Sequence, residues 1–213
     1  MRITIMGPPG SGKGTQAEQL CQRLGIAHIS TGAIIRNAIR EKTQLGVIAS
    51  DYIEKGQLVP DSLVIDMVSA RLKEEDCQNG YILDGFPRTL VQAEAMEKLG
   101  IELDCALNLV VDDETIVVRL GGRRECKVCA APYHVEFNPP EKEGVCDRCG
   151  GELVRRLDDV PDTIRERLSV YHKQTEPLID FYKKRGLLKD VVGCEDIEDT
   201  TKAVLEALGV NGQ

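Results

Sequence analysis

The chain has 213 residues and a formal net charge of −8, with eight cysteines, five tyrosines, three phenylalanines and no tryptophan. A composition of 42% hydrophobic and 29% charged residues is that of a globular protein, and it excludes low-complexity disorder. The acidic balance argues against a protein that holds nucleic acid by bulk charge, and no apolar run approaches the length of a membrane span. Because the first residues lack the apolar stretch of a signal peptide, we expect a cytoplasmic protein.

Short apolar strands alternate with helical patterns over most of the chain. Strands are predicted at residues 2–6, 81–84, 106–111 and 187–192. Helices are predicted at residues 15–24, from 61 onward, 90–99, 113–120, 161–185 with a bend at Pro177, and 197–208, with a broken helical pattern over 34–55. Buried strands that alternate with helices form a parallel sheet covered on both faces, so the chain is predicted to be an α/β protein. Such sheets bind ligands beyond the carboxyl ends of their strands.

A glycine-rich loop separates the first strand from the first helix. Residues 7–15, GPPGSGKGT, match the phosphate-binding pattern G-x-x-x-x-G-K, with the hydroxyl displaced by one position to Thr15. Glycines let backbone N–H groups converge on phosphate oxygens, the helix N-terminus adds partial positive charge, and Lys13 supplies a mobile cation. The alternative, a glycine-rich turn with a chance lysine, is disfavoured by the order of strand, loop and helix.

Four cysteines form two C-x2-C pairs within residues 121–160, a segment rich in glycine, proline and charge that has no helical periodicity. The pairs are Cys126 with Cys129 and Cys146 with Cys149. This spacing predicts a structural four-thiolate zinc site, although iron or cobalt remains open. Chance thiols or two disulfides are less favoured in a cytoplasmic protein. The remaining cysteines are predicted to be free thiols: Cys21, Cys77, Cys105 and Cys194.

Motifs spread over nearly the whole chain resemble the adenylate kinase family. The loop with Gln16 resembles the phosphate loop of that family, and residues 84–89 (DGFPRT) with Gln92 resemble its most specific signature. Further matches are residues 28–32 (HISTG) with Arg36, residues 57–61 (QLVPD), residues 122–124 (GRR), residues 156–159 (RLDD) and Arg167. The resemblance implies the P-loop nucleoside-monophosphate-kinase fold, a parallel sheet flanked by helices. It also implies a core domain (1–29, 60–121 and 160–213), an AMP-binding flap (30–59) and a zinc-ribbon-like lid (122–159).

The resemblance assigns roles residue by residue. Catalytic roles are implied for Lys13, Asp84, Arg88, Arg123, Arg156 and Arg167. ATP contacts are implied for Gly10, Ser11, Gly12, Lys13, Gly14, Thr15, Arg123, Pro132, Tyr133 and Glu195. AMP contacts are implied for Thr31, Arg36, Gln57, Leu58, Val59, Gly85, Phe86, Pro87, Arg88, Gln92, Arg156 and Arg167. Gln92 is the expected reader of the adenine edge, because an amide both donates and accepts hydrogen bonds.

The activity that the resemblance implies is reversible transfer of the terminal phosphoryl group of ATP to AMP, giving two ADP, with Mg²⁺ and a role in adenine nucleotide homeostasis. Guanidinium groups suit this reaction because they grip phosphate oxygens in a planar, bidentate way. Direct in-line transfer is expected, and His28, His134 and His172 are expected to pack locally or lie at the surface, because the AMP phosphate needs no base. Ala33 replaces an Asp usual in the family and thought to order water around Mg²⁺, which leaves Asp84 as the main candidate for organising the metal.

Three alternatives remain open at this point. A kinase for another nucleoside monophosphate would share most motifs, although Gln92, Thr31 and the long lid favour AMP. A zinc ribbon that binds nucleic acid, fused to an ATPase-like domain, fits the cysteines but not the net charge. A simple P-loop hydrolase would release phosphate from ATP without an acceptor. The expected partners are therefore ATP, AMP and ADP, without nucleic acid or membrane, and a monomer is the expected state.

Overall fold

The computed structural model describes residues 1–194 and 196–210. The strands are β1 (Arg2–Met6), β2 (Ala27–Ser30), β3 (Tyr81–Asp84), β4 (Cys105–Val110), β5 (Arg123–Cys126), β6 (Pro132–His134), β7 (Leu153–Val154) and β8 (Leu188–Val192). The α-helices are α1 (Lys13–Leu24), α2 (Thr31–Arg40), α3 (Gln44–Glu54), α4 (Asp61–Arg71), α5 (Leu90–Lys98), α6 (Asp113–Gly122), α7 (Pro161–Val170), α8 (Pro177–Lys184) and α9 (Ile197–Leu208). Within the described residues, no helix is both long and apolar enough to cross a bilayer.

Five parallel strands form the central sheet, in the order β2-β3-β1-β4-β8. On one face, α1 and α9 bury Leu20 and Val204 against strand residues such as Ile3 and Leu107. On the other face, α8 packs Leu178 and other side chains on the sheet. Helices on both faces explain why β1 and β4 are nearly continuous apolar runs. The predicted α/β fold, a parallel sheet flanked by helices, is confirmed.

The carboxyl ends of three neighbouring strands bring the predicted motifs to one edge of the sheet. In the register, Asp84 at the end of β3 pairs with Ile5 of β1 and with Ser30 of β2. The phosphate-binding loop follows β1, and the chain turns from Ser30 directly into α2. Ser30 Oγ donates a hydrogen bond to Asp84 Oδ2 at 3.1 Å and accepts one from the Ala33 N–H that caps α2.

Around the central sheet, two local features differ from the sequence prediction. Strand β2 was not predicted, because it has four residues of which only Ile29 is buried. The helix predicted over 161–185 is interrupted by a π-turn at Tyr171–Thr175 between α7 and α8. Pro177 has no N–H to donate to the preceding turn, and the Glu176 N–H instead bonds to the Tyr171 carbonyl at 2.9 Å. The irregularity therefore lies just before the predicted bend.

A second, antiparallel sheet has the order β6-β5-β7 and contains only short strands. Its small core consists of Cys126, Ala131, Tyr133, Cys146 and Leu153. We call this unit the small sheet. It lies inside the segment predicted to be a lid, and the division of the chain into core, flap and lid stays a prediction.

Candidate functional site

The phosphate-binding loop has a backbone that only glycine adopts easily. Gly7, Gly10 and Gly12 have φ angles of 135°, 84° and 96°. A Cβ at Gly10 would lie 2.8 Å from the side chain of Leu120, so the space is also restricted. Lys13 opens α1 and folds back over the loop, where its Nζ donates to the carbonyls of Gly7 at 2.8 Å and Pro8 at 2.6 Å. The ammonium group is thereby held at the helix N-terminus.

Lys13 and Asp84 interact electrostatically beside this loop. Burial lowers the pKa of Lys13 to about 7; Asp84 opposes that shift, whereas Arg88 and other nearby arginines add to it. Burial also disfavours ionisation of Asp84, but the contact with His28 and the charge of Lys13 outweigh it and lower the Asp84 pKa. His28 Nε2 lies 3.6 Å from Asp84 Oδ2. The site thus combines an ionised carboxylate with a lysine whose charge is easily gained or lost.

Two buried aspartates hold the arginines at the start of the small sheet and on α7. Arg123 makes a bidentate ion pair with Asp159, with Nε–Oδ2 and Nη2–Oδ1 distances of 2.7 and 2.6 Å. Arg167 reaches Asp159 Oδ1 at 2.8 Å and Asp158 Oδ2 at 3.0 Å. Asp159 is 1% exposed, so its charge is balanced by these guanidinium groups. These ion pairs fix the positions of the two arginines.

Glu125 is a functional candidate that the sequence interpretation missed. Its carboxylate forms an ion pair with Arg156 and lies 3.8 Å from Arg36 Nε on α2. Burial, followed by the charges of Arg123 and Arg36, lowers the pKa of Arg156 to about 10. Side chains alternate along a strand, so Glu125 shares a face of β5 with Arg123. That alternation was the available signal, but β5 had not been predicted.

The residues of the DGFPRT motif surround the carboxyl end of β3. Arg88 Nε and Thr31 Oγ1 both donate to the Gly85 carbonyl at 2.9 Å. Burial, with the charge of Arg167 next, lowers the pKa of Arg88. Phe86 is 1% exposed, and its carbonyl accepts a hydrogen bond from Thr4 Oγ1 at 2.7 Å. This loop is therefore fixed to the sheet and presents Arg88 toward the lysine.

The segment before α4 lies beside α7. Gln57 Nε2 donates to Glu166 Oε1 at 2.5 Å, which ties the segment to α7 one residue before Arg167. Val59 is 4% exposed and packs in the same hydrophobic cluster as Phe86, so its side chain is part of the core. Leu58 between them is half-buried. Backbone atoms are thus the groups through which Val59 could contact a ligand.

The structure brings most of the predicted site residues together, and two of the predicted ATP contacts, Pro132 and Tyr133, lie on β6 of the small sheet. Tyr133 is buried in the small sheet, where its hydroxyl lies 3.5 Å from Cys146 Sγ and accepts the Asp147 N–H at 2.8 Å. Those contacts give Tyr133 a packing role beside the cysteines, and its contact with an adenine ring, like that of Pro132, stays a prediction. Glu195 lies outside the described residues.

The four cysteines of the two C-x2-C pairs form a compact cluster. Their sulfur atoms all lie within 4.8 Å of one another, and the Cys126–Cys149 and Cys129–Cys146 Sγ–Sγ distances are 3.5 and 3.6 Å. A tetrahedral site with Zn–S bonds of about 2.3 Å has sulfur atoms about 3.8 Å apart, so the cluster fits zinc. All eight cysteines lie in the described residues, and none forms a disulfide.

The other two histidines lie away from the lysine. His172 bridges two carboxylates, with Nε2 at 3.1 Å from Asp113 and Nδ1 at 2.9 Å from Glu176, and these hydrogen bonds raise its pKa. His134 accepts the N–H groups of Glu136 and Phe137 through Nδ1. His28, in contrast, is next to Asp84, which makes it a neighbour of the site.

Comparisons with known proteins agree with this geometry. Residues 5–187 match the family model described as adenylate kinase. An adenylate kinase of Caldicellulosiruptor saccharolyticus is 56% identical over 99% of this chain and 100% of its own length. An adenylate kinase of Lachnospira eligens is 50% identical over 98% of this chain and 100% of its own length. With a match over most of its length and relatives at this identity, the chain belongs to the adenylate kinase family.

Proposed function

We propose that the chain transfers the terminal phosphoryl group of ATP to AMP, reversibly and in line, giving two ADP and thereby balancing adenine nucleotides. The observation that carries this proposal is the meeting of Lys13, Asp84 and a ring of arginines at the carboxyl edge of a parallel sheet. Phosphoryl transfer needs positioning and charge stabilisation more than covalent chemistry. The arrangement supplies both.

The charges of the site suit two polyphosphate ligands. Six cations are assigned to it: Lys13, Arg36, Arg88, Arg123, Arg156 and Arg167. Four carboxylates oppose them: Asp84, Glu125, Asp158 and Asp159. The difference, 6 − 4, leaves a formal charge of +2 within an acidic protein. Nucleotide phosphates are expected to complete the neutralisation, and guanidinium groups can hold them bidentately.

On this proposal ATP lies on the phosphate-binding loop and AMP lies at the ends of β2 and β3. Backbone N–H groups of residues 10–15 and Lys13 hold the ATP phosphates. Arg36 and Arg88 clamp the AMP phosphate, and Gln92 reads the acceptor base. Arg123, Arg156 and Arg167 stabilise the charge that develops on the transferring group.

Residues 30–59 and 122–159 are proposed to close over the two nucleotides and exclude water, which would otherwise accept the phosphoryl group. Contacts between these segments support the proposal. Arg40 on α2 donates to the Lys127 carbonyl at 3.2 Å, and Glu125 joins Arg36 to Arg156. Arg148 also reaches Glu18 on α1 at 2.9 Å. A monomer is expected to suffice, without nucleic acid or membrane.

Two metals are proposed. Mg²⁺ prefers oxygen ligands and would neutralise phosphate charge when bound with ATP. Asp84 is suited to hold it, because its pKa is lowered and its Oδ2 would lie 3.4 Å from a Cβ at Gly14 of the loop. Ala33 offers no side-chain oxygen. Zinc is proposed for the cysteine cluster, where four thiolates leave no open position and the role is structural.

The proposed function is tested by the choice of the nucleoside monophosphate that accepts the phosphoryl group. A coupled assay for ADP formation with ATP and each of AMP, CMP, UMP and GMP is expected to show a clear preference for AMP. A preference for another monophosphate would move the chain to a related kinase activity. Phosphate release from ATP at the same rate without any acceptor would identify a hydrolase instead.

Lys13 offers a second test of the same proposal. Lys13→Met removes the cation from the phosphate-binding loop and is expected to reduce kcat by at least about 100-fold, the scale for loss of one preorganised charge-stabilising donor. Circular dichroism should show an intact fold. Lys142→Met, at an exposed position of the small-sheet segment, is the control and should leave kcat unchanged. Retained activity in Lys13→Met would refute the assigned role.

A further inference from the structure

Asp61 and Gln92 form a hydrogen-bonded pair between α4 and α5. Asp61 is the first residue of α4, and its Oδ1 accepts hydrogen bonds from Gln92 Nε2 at 2.7 Å and from Thr89 Oγ1 at 3.0 Å. Gln92 is 2% exposed, so its side-chain amide has little access to water as a hydrogen-bond partner. Asp61 is therefore a main determinant of how the Gln92 amide is oriented.

The other end of the amide is fixed as well. Gln92 Oε1 accepts the backbone N–H of Arg88 at 2.7 Å. An ionised carboxylate only accepts hydrogen bonds, and a backbone N–H only donates them. If the amide were flipped, its oxygen would face the Asp61 carboxylate and its NH2 group would face the Arg88 N–H, so both contacts would become repulsive. Only one orientation satisfies both partners.

The oriented amide still has groups to offer a ligand. A primary amide has two N–H donors and two lone pairs on oxygen. One donor is used by Asp61 and one lone pair by Arg88, which leaves one N–H and one lone pair on Gln92. A base that presents an acceptor beside a donor can use both.

We propose that Asp61 is a positioning residue for base selection, because it fixes which end of the Gln92 amide donates to the acceptor base. The inference rests on the proposed function, in which Gln92 reads that base. Adenine presents an acceptor at N1 and a donor at its 6-amino group. Hypoxanthine has nearly the same shape but presents the reverse, a donor at N1 and an acceptor at O6. Its recognition by the same groups would require the flipped amide, which Asp61 opposes.

The test compares AMP and IMP as acceptors for the wild-type protein and for Asp61→Asn. Asparagine both donates and accepts, so it tolerates either orientation at its own end of the Gln92 amide, and only the Arg88 N–H then opposes the flip. We expect wild type to prefer AMP and the AMP to IMP ratio of kcat/KM to fall at least about tenfold in Asp61→Asn, the scale on which one mismatched buried hydrogen bond is felt. Asp61→Ser, whose hydroxyl is equally tolerant, serves as a second variant should Asp61→Asn fold poorly.

The matched control is Asp66→Asn, which removes the same charge from an exposed position on α4 and should leave the ratio unchanged. Asp61 also lies in the first turn of α4, where a negative charge stabilises the helix. A purely structural role would therefore lower both kcat/KM values in parallel and preserve the ratio, and that outcome would overturn the inference. A wild-type protein that does not prefer AMP would instead overturn the proposed function.

Discussion

The central sheet and the small sheet are stabilised in different ways. The central sheet buries whole side chains between two layers of helices, and Ile3, Leu107 and Leu109 are all 0% exposed. The small sheet has strands of four, three and two residues, and two of the five members of its core belong to the cluster of four cysteines. A unit of that size buries too little apolar surface to be stable alone.

The difference shows what the four cysteines contribute. Metal binding to a site that exists only in the folded unit adds its free energy to folding. The central sheet needs no such addition, because its burial supplies the stability. With zinc in the proposed site, the chain would combine a core held by apolar packing with a small sheet held by coordination.

Removal of the metal is expected to have the largest effect, and it should fall on the small sheet. Apparent binding free energies of structural zinc in small domains are about 10–16 kcal/mol, more than a unit this small can replace by packing. Chelation or Cys146→Ser should lower the melting temperature and unfold the small sheet, while circular dichroism retains most of the helical signal of the core.

The control is Cys105→Ser, which makes the same change at a buried cysteine of β4 and should leave the metal content at one ion per chain. Thermal melting curves would measure the stability, and metal analysis of the same samples would measure the metal content. An unchanged melting curve after confirmed loss of the metal would contradict a structural site.

The next largest effects are expected for two leucine substitutions, which should distinguish the stability of the central sheet from that of the small sheet. Leu107→Ala opens a cavity in the middle of the central sheet and is expected to lower the free energy of unfolding by about 2–5 kcal/mol. Leu153→Ala in the small sheet, where the leucine is 8% exposed, should cost less in denaturant unfolding of the core and should mainly weaken metal retention. Equal losses of global stability with the metal in place would show that the two regions unfold as one.

The third prediction concerns how ATP affinity depends on pH through Lys13. The pKa of Lys13 is lowered from 10.5 to about 7 in the folded protein. ATP binding favours the charged lysine, so ATP affinity should fall as the pH rises above about 7, by up to about tenfold per pH unit. Titration calorimetry from pH 6 to 9 would measure it, together with proton uptake on binding. Lys13→Arg should flatten the profile, whereas an equally steep profile in that variant would contradict the assignment.

The same shift has a defined sign for stability. Between about pH 7 and 10.5 the unfolded chain keeps a proton on Lys13 that the folded chain has lost. Below about pH 7 the buried, charged lysine destabilises the fold to its full extent. The unfolded state binds more protons between about pH 7 and 10.5, so this cost falls and stability rises with pH in that window. Chelation of the metal should narrow this window, because Arg123 lies in the small sheet and its charge is one cause of the lowered Lys13 pKa.

The smallest effect is expected for Arg148→Ala. Arg148 joins the small-sheet segment to Glu18 on α1, and the two side chains are 59% and 30% exposed. Exposed ion pairs are worth about 0–1 kcal/mol, so the melting temperature should hardly change and kcat should stay within about twofold. A loss of metal or a large fall in kcat would mean that this contact holds the two regions together.

The features that could be predicted from the sequence are those in which chemistry fixes both residue types and spacing. The loop of residues 7–15 and the two C-x2-C pairs are local, and each requires particular residues for phosphate or metal. Strands β1 and β3 were predicted with their bounds, because a fully buried strand is a continuous apolar run.

The features that could not be predicted depend on contacts between distant segments. Nothing near Asp61 indicates that its partner is Gln92, since the hydrogen bond joins residues 31 positions apart. Glu125 precedes Cys126 in the sequence, and its ion pairs with Arg36 and Arg156 form only in the folded chain, so the sequence does not indicate them. The contacts of Tyr133 with Cys146 and Asp147 likewise join separate segments, and the ATP contact that the family resemblance implies for Tyr133 stays a prediction.

On the proposed binding mode, nucleotide phosphates replace the Glu125 carboxylate as the partner of Arg156 and Arg36. The Glu125 carboxylate forms an ion pair with Arg156 and lies near Arg36. A phosphate that binds these guanidinium groups must displace Glu125, so its binding free energy is only the difference between the new ion pairs and those it replaces. The exchange keeps the guanidinium groups from being left buried without an anion when products depart. The exchange thus lowers the affinity of the chain for nucleotide phosphates, and it also lowers the barrier to product release.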